Sequence, residues 1–195
     1  MLVANDVADA EQWGGPGGRT MANPEHVALA RQGAAAIEAW RNTPPFEQLN
    51  LHRADLSGAD LRGAALHGAD LTRANLRRAD LRGANLVRTI LIRADLSEVD
   101  FRGAFLGGTD FRKADLSGVD FTHAHVRAAD FTDANLRRAN LRGADCTGVN
   151  FTRADLRGAN LTGADLSGAQ LTGALMDPPA LHESCSPARA QPLSD

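Results

Sequence analysis

Residues 54–63 read ADLSGADLRG and residues 134–145 read ANLRRANLRGAD, and the same five-letter phrase runs between them with no insertion. From Leu51 to Leu171 every fifth residue is large and apolar: Leu at 18 of 25 positions, Phe at 101, 111, 121, 131 and 151, Val at 126 and Cys at 146. Two residues before each next centre, from Ala54 to Ala174, stands a small residue, Ala in 20 of 25 cases and otherwise Thr89, Val99, Thr109, Val119 or Val149. The residue between is mostly Asp or Asn, and the two that follow are drawn largely from Arg, Ser, Thr and Gly. A period of five is neither the 3.6 of a helix nor the 2 of a strand, so no single regular element buries every centre and the chain must turn within each unit. A short side plus a turn lets the small and the large apolar residue point inward while the other three point out.

This uninterrupted A(D/N)(L/F)xx array, carried by ADLSGADLRG and ANLRRANLRGAD, resembles the pentapeptide repeat family over about two thirds of the chain. The resemblance implies an all-β solenoid, a right-handed quadrilateral β-helix of pentapeptide repeats. Four sides then make a coil of about twenty residues, and coils stacked about 4.8 Å apart make a rod roughly 30 Å long. Residues twenty apart share a wall, which sorts the centres. Leu51, Leu71, Leu91, Phe111, Phe131, Phe151 and Leu171 fall on one wall, and Leu61, Leu81, Phe101, Phe121, Leu141 and Leu161 on the opposite one. The Phe residues are inward and read as core packing, and Cys146 reads as a small core residue.

The ends of a solenoid need covering. Asn23-Pro24-Glu25 supplies an N-cap, a proline at the first helical position and an early acid, and Val27, Ala30, Ala34 and Ile37 follow at helical spacing up to Trp40. The expected organisation is a disordered tail over 1–22, one capping helix over 23–42, the repeat β-helix over 46–176 with Phe46 in register, and an end segment and mobile tail over 177–195. Met21 is a possible start of translation. Leu175, Met176 and Leu181 are the apolar residues available to close the far end.

No catalytic constellation emerges. The Asp residues recur with the repeat and are expected to point outward or to hydrogen-bond the turns. His123 and His125, with Asp120 and Asp145, invite a weak metal site but read better as a solvated pair. LGGTD at 106–110 does not lead into a helix and so lacks the context of a phosphate loop. The expectation is a non-enzyme with no cofactor and no metal. The acidic start and the lack of a spanning apolar stretch point to a cytoplasmic protein without membrane association.

The resemblance implies a function through family members that protect bacterial DNA gyrase and topoisomerase IV from quinolones and natural poisons by direct binding, with an acidic rod imitating DNA as a proposed mechanism. Charge counting tempers the mimicry. Residues 51–175 hold 14 Asp and one Glu against 16 Arg and one Lys, a net +2, while the whole chain carries −3. Asp60, Asp80, Asp100 and Asp120 form a column, but Arg62, Arg82, Arg102 and Arg142 lie on the same wall. Val87, Ile90, Ile92 and Phe105 put apolar groups at outward positions and cluster around one corner, a candidate partner surface. The resemblance also implies a homodimer joined through the C-terminal end. The alternative function is a structural or scaffolding protein with no topoisomerase role. Direct nucleic-acid binding ranks low because no wall concentrates basic residues and few aromatics are exposed.

Overall fold

The computed structural model describes residues 21–44 and 47–177. From Asn50 onward each short side pairs in parallel with the side twenty residues later, Asn50 with Asp70, Asp55 with Asn75, Asp60 with Asp80 and Ala65 with Asn85, and so on up to Asp155 with Leu175. Four such pairings and four turns complete one coil, and the register never slips. In every coil but the last the centre donates its N–H to the coil above, as Leu51 does to Asp70 O at 2.7 Å, and the residue two further on does the same, as Arg53 does to Thr72 O at 2.9 Å.

The repeat letters each have a physical task. The centres from Leu51 to Phe151 are essentially sealed from solvent, Phe101, Phe111, Phe121, Phe131 and Phe151 all at 0% exposure, and burying each such side chain is worth about 1.5–3 kcal/mol. Phe rings stack between coils, Phe111 on Phe131 at 4.7 Å and Phe101 on Phe121 at 5.3 Å, and meet edge-on across the core, Phe111 against Phe121 at 6.2 Å. The inward Ala lets the walls approach. Where Thr replaces it at 89 and 109, the buried hydroxyl donates to a carbonyl of the coil below, Leu66 O and Leu86 O, each at 2.8 Å.

The Asp or Asn before each centre stabilises the turn: its Oδ1 accepts the N–H two residues on, as Asp70 does from Thr72 at 2.9 Å and Asp100 from Arg102 at 3.0 Å. The turn closes by an N–H to carbonyl bond such as Ala54 to Leu51 at 3.0 Å, with its third residue left-handed, Gly58 at φ 66° and Arg53 at φ 60°. Glycine takes that conformation freely, whereas another residue there costs roughly 1–2 kcal/mol.

Before the coils come α1 (Pro24–Arg31) and α2 (Ala34–Arg41). The single helix expected over 23–42 is therefore two. Asn23 caps α1, its side chain accepting from Glu25 N–H at 2.9 Å, but the chain breaks at Gly33, which has φ 90° and approaches Asp60 O so closely that a Cβ would stand 3.2 Å away. The break turns α2 across the foot of the first coil, where Ala30 and Ile37 join the core at 0% exposure. Phe46 lies outside the described residues.

Candidate functional site

The first coil presents outward-facing carbonyls, and the helices supply donors for them. Arg31 Nη2 donates to Asp55 O at 3.1 Å, and Arg41 reaches Ala65 O through Nε and His67 O through Nη2 at 2.7 Å. The N–H of Asn23 donates to Asn50 O at 3.2 Å. Where the coil presents a donor instead, an acceptor meets it: Asn50 N–H donates to Nδ1 of buried His26 at 2.9 Å, and the His26 ring lies edge-on to Trp40 at 4.8 Å. The last coil differs. Gly158 N–H is met by Asp177 at 2.6 Å, but the N–H groups of Leu161, Gly163, Leu166 and Gly168, whose equivalents in every earlier coil donate upward, meet no acceptor among the described residues. Leu175 is 50% exposed there, Leu166, Leu171 and Met176 are half-buried, and Leu181 lies outside the described residues.

The acidic column is an ion-pair ladder. Arg62 grips Asp60 with Nη2–Oδ2 2.6 Å and Nε–Oδ1 2.8 Å, and its Nε stands 3.7 Å from Asp80 one coil up. Arg82 repeats this with Asp80 at 2.6 Å and Asp100 at 3.6 Å, and Arg102 with Asp100 at 2.6 Å and Asp120 at 4.0 Å. Asp120 also accepts from the Thr122 N–H at 2.9 Å and from its hydroxyl. The hydrogen bond from Arg62 holds Asp60 well below the usual carboxylate range, at about 2. Each carboxylate of the column faces a guanidinium, so the column has little of the bare negative field of a phosphate backbone.

The four apolar departures lie on the two walls that meet at one corner. Val87 (36% exposed) and Phe105 (49% exposed) stand on one, half-buried Ile90 and Ile92 on the next, and exposed Arg88 takes the corner between them. Phe105 stacks flat on His125 of the next coil, centroids 5.2 Å apart and planes 7° apart, a pairing that the twenty-residue spacing already implies. Gly107 and Gly108 leave the wall beside Phe105 without side chains. Ile90 and Phe105 replace the turn-stabilising Asp or Asn, so the turns after them lack that acceptor.

His125 thus points along its own wall, while the His123 ring lies over Gly143, so close that a Cβ there would meet Cε1 at 2.9 Å. The two histidines diverge, and no group of three or more His, Cys, Asp or Glu converges among the described residues. Burial raises the Cys146 thiol to about 12, aided by the charges of Asp145 and Asp165, which leaves it protonated and inert as a nucleophile at neutral pH. No helix among the described residues is long and apolar enough to cross a membrane.

The model of the family described as pentapeptide repeats matches residues 50–88, 89–127 and 134–177 with eight copies. No curated protein matches the sequence. Similar solved structures include HetL, a pentapeptide repeat protein involved in heterocyst differentiation regulation from the cyanobacterium Nostoc sp. strain PCC 7120, 35% identical over 64% of this chain and 70% of that one with a TM-score of 0.29. QnrB1, a plasmid-mediated fluoroquinolone resistance protein, is 21% identical over 67% and 70%, with a TM-score of 0.40. A pentapeptide repeat protein from the Arabidopsis thaliana thylakoid lumen is 31% identical over 63% and 78%, with a TM-score of 0.30. With the family model covering most of an unbroken array whose coils close every twenty residues, the chain belongs to the pentapeptide repeat family.

Proposed function

We propose that this protein is a non-enzymatic binding rod that protects a bacterial type II topoisomerase, gyrase or topoisomerase IV, from poisons by direct protein contact. It works in the cytoplasm, its coil is right-handed, and its two helices cap the first coil. The observation that carries the reading is the apolar surface of exposed Val87 and Phe105 and half-buried Ile90 and Ile92 on walls that are otherwise polar and repetitive, because apolar groups gathered on a polar surface are what a protein partner recognises. The Arg-bridged acidic column contributes short-range hydrogen bonds and no long-range DNA-like field. Resistance to fluoroquinolones is the stated role of one protein of similar fold, QnrB1.

The protein acts as a homodimer joined at the C-terminal end, where Leu175 and Met176 offer apolar surface, and the last coil's N–H groups that meet no acceptor among the described residues offer donors, to a second copy. Light scattering at micromolar concentration is expected to give twice the chain mass, and a monomer would remove this part of the proposal. For the function itself, purified protein is expected to restore supercoiling by quinolone-poisoned gyrase. Replacing Ile90 with Asp and Phe105 with Asn, the residues the repeat supplies elsewhere, is expected to leave the fold intact and reduce protection. Full protection by that variant excludes the apolar surface from the mechanism, and no protection by the intact protein against any poison favours the scaffold reading.

A further inference from the structure

Almost every arginine column on the rod is paired with acids, and one is not. Arg53, Arg73, Arg93 and Lys113 occupy the same turn position in four successive coils, all exposed, all left-handed at φ 57–60°, and none forms an ion pair among the described residues. Among the described residues Arg53 meets the sulfur of Met21 at 3.8 Å, Lys113 feels the charge of Asp133 one coil up without forming an ion pair with it, and the column ends where Arg153 engages Asp133 at 2.6 Å. Arg62, Arg82, Arg102, Arg112 and Arg157, by contrast, each hold the Asp two residues before them at 2.6 or 2.7 Å.

The column keeps its side chains against the local preference of the backbone. Along its corner, positions 53, 73, 93, 113, 133 and 153 are all non-glycine and only Gly173 is relieved, whereas along the corner of 63, 83, 103, 123, 143 and 163 only His123 is not glycine. Four like charges about 4.8 Å apart also repel one another. Backbone preference and charge repulsion both oppose this arrangement, and an anionic occupant relieves the second.

We propose that this column, with Ile92 and Ile90 beside it, is a docking strip for an acidic amphipathic helix of a partner protein lying along the rod. The spacing fits: carboxylates at i and i+3 or i+4 of a helix rise by about 4.5 or 6 Å, bracketing the coil repeat of about 4.8 Å, and the helix's apolar edge meets the isoleucines. The strip's narrowness selects the occupant. Asp70 and Asp110 flank it on its own wall, and Asp55, Asp95 and Asp115 flank it on the next. These acids repel a broad polyanion such as duplex DNA, whose phosphates spread across grooves of about 6 and 12 Å, but leave room for a single row of carboxylates. The strip shares Ile90 and Ile92 with the topoisomerase reading but does not rest on it, because it stands on the basic column, whereas that reading makes no demand on the partner's charge.

The probe is a fluorescent synthetic helical peptide of about fourteen residues, with Glu along one stripe and Leu beside it, titrated with the full chain and followed by anisotropy. Binding is expected to weaken with salt. Arg73→Gln with Arg93→Gln is expected to weaken it roughly tenfold, and Arg73→Lys with Arg93→Lys to retain most of it. Arg138→Gln, an exposed left-handed residue without an ion pair on another corner, is the control and is expected to change nothing. Circular dichroism on each variant checks the fold. Equal binding by the double Gln variant, an equal loss from Arg138→Gln, or tighter binding of a DNA duplex than of the peptide overturns the proposal.

Discussion

Removing the Phe121 ring tests whether the aromatic ladder is structural. The ring is fully buried, stacks 5.3 Å from Phe101 with planes 4° apart, and meets Phe111 and Phe131 edge-on at 6.2 and 5.9 Å. Phe121→Ala deletes these contacts and leaves a cavity between coils that are held in register above and below, so the walls have little room to collapse inward. The cost is about 3–5 kcal/mol, at the upper end because three ring contacts vanish together. Phe121→Leu installs the residue that fills the same wall at 81 and 141 and is expected to cost about 1 kcal/mol. Urea unfolding followed by circular dichroism gives both values, and a biphasic Ala transition would show the cavity dividing the solenoid into two cooperative blocks. A Phe121→Ala loss below about 1 kcal/mol, or a Leu variant as damaged as the Ala variant, would refute the reasoning.

The inward and outward registers separate in a second pair: Leu116→Arg buries an unpaired charge at a sealed centre and is expected to prevent folding, while Ser117→Arg, one residue on, is expected to stay within about 0.5 kcal/mol by thermal melt. Arg41→Ala leaves Ala65 O and His67 O without their donors; hydrogen–deuterium exchange is expected to rise in the first coil and hardly at all near Phe121. In acid, Asp60 and Asp155 are held at about 2 by the hydrogen bonds of Arg62 and Arg157, against an ordinary 3.8. A depressed folded-state value means that their stabilisation is complete above the unfolded value and is lost as pH falls from about 4 through about 2, so melts are expected to drop across that window and less so in Arg157→Gln. Cys146, raised to about 12 by burial, is expected to resist thiol reagents at neutral pH until the chain unfolds, as mapped by mass spectrometry.

The coil itself was legible from the letters because each of its decisions is local or strictly periodic. Ala and Leu or Phe two apart face inward together, Asp or Asn meets its own turn N–H, and a spacing of twenty brings Phe111 over Phe131 and Phe105 over His125. No single turn has to know about the rest of the chain. The ends and the surface obey other rules. The helix predicted over 23–42 divides at Gly33, whose backbone passes so close to Asp60 O that a Cβ would stand 3.2 Å from it, and nothing in the local pattern around Gly33 refers to a residue in the first coil. The apolar group flanks one corner, and the structure puts exposed Arg88 at that corner between Val87 and Ile90. Composition did not set Asp60, Asp80 and Asp100 and their arginines apart from the other charges; only the side-chain geometry decided that these arginines reach back two residues and up one coil, whereas Arg53, Arg73, Arg93 and Lys113 form no ion pair among the described residues. Backbone periodicity is written in every unit, but long charged side chains choose among several neighbours, and that choice exists only once the coils are stacked.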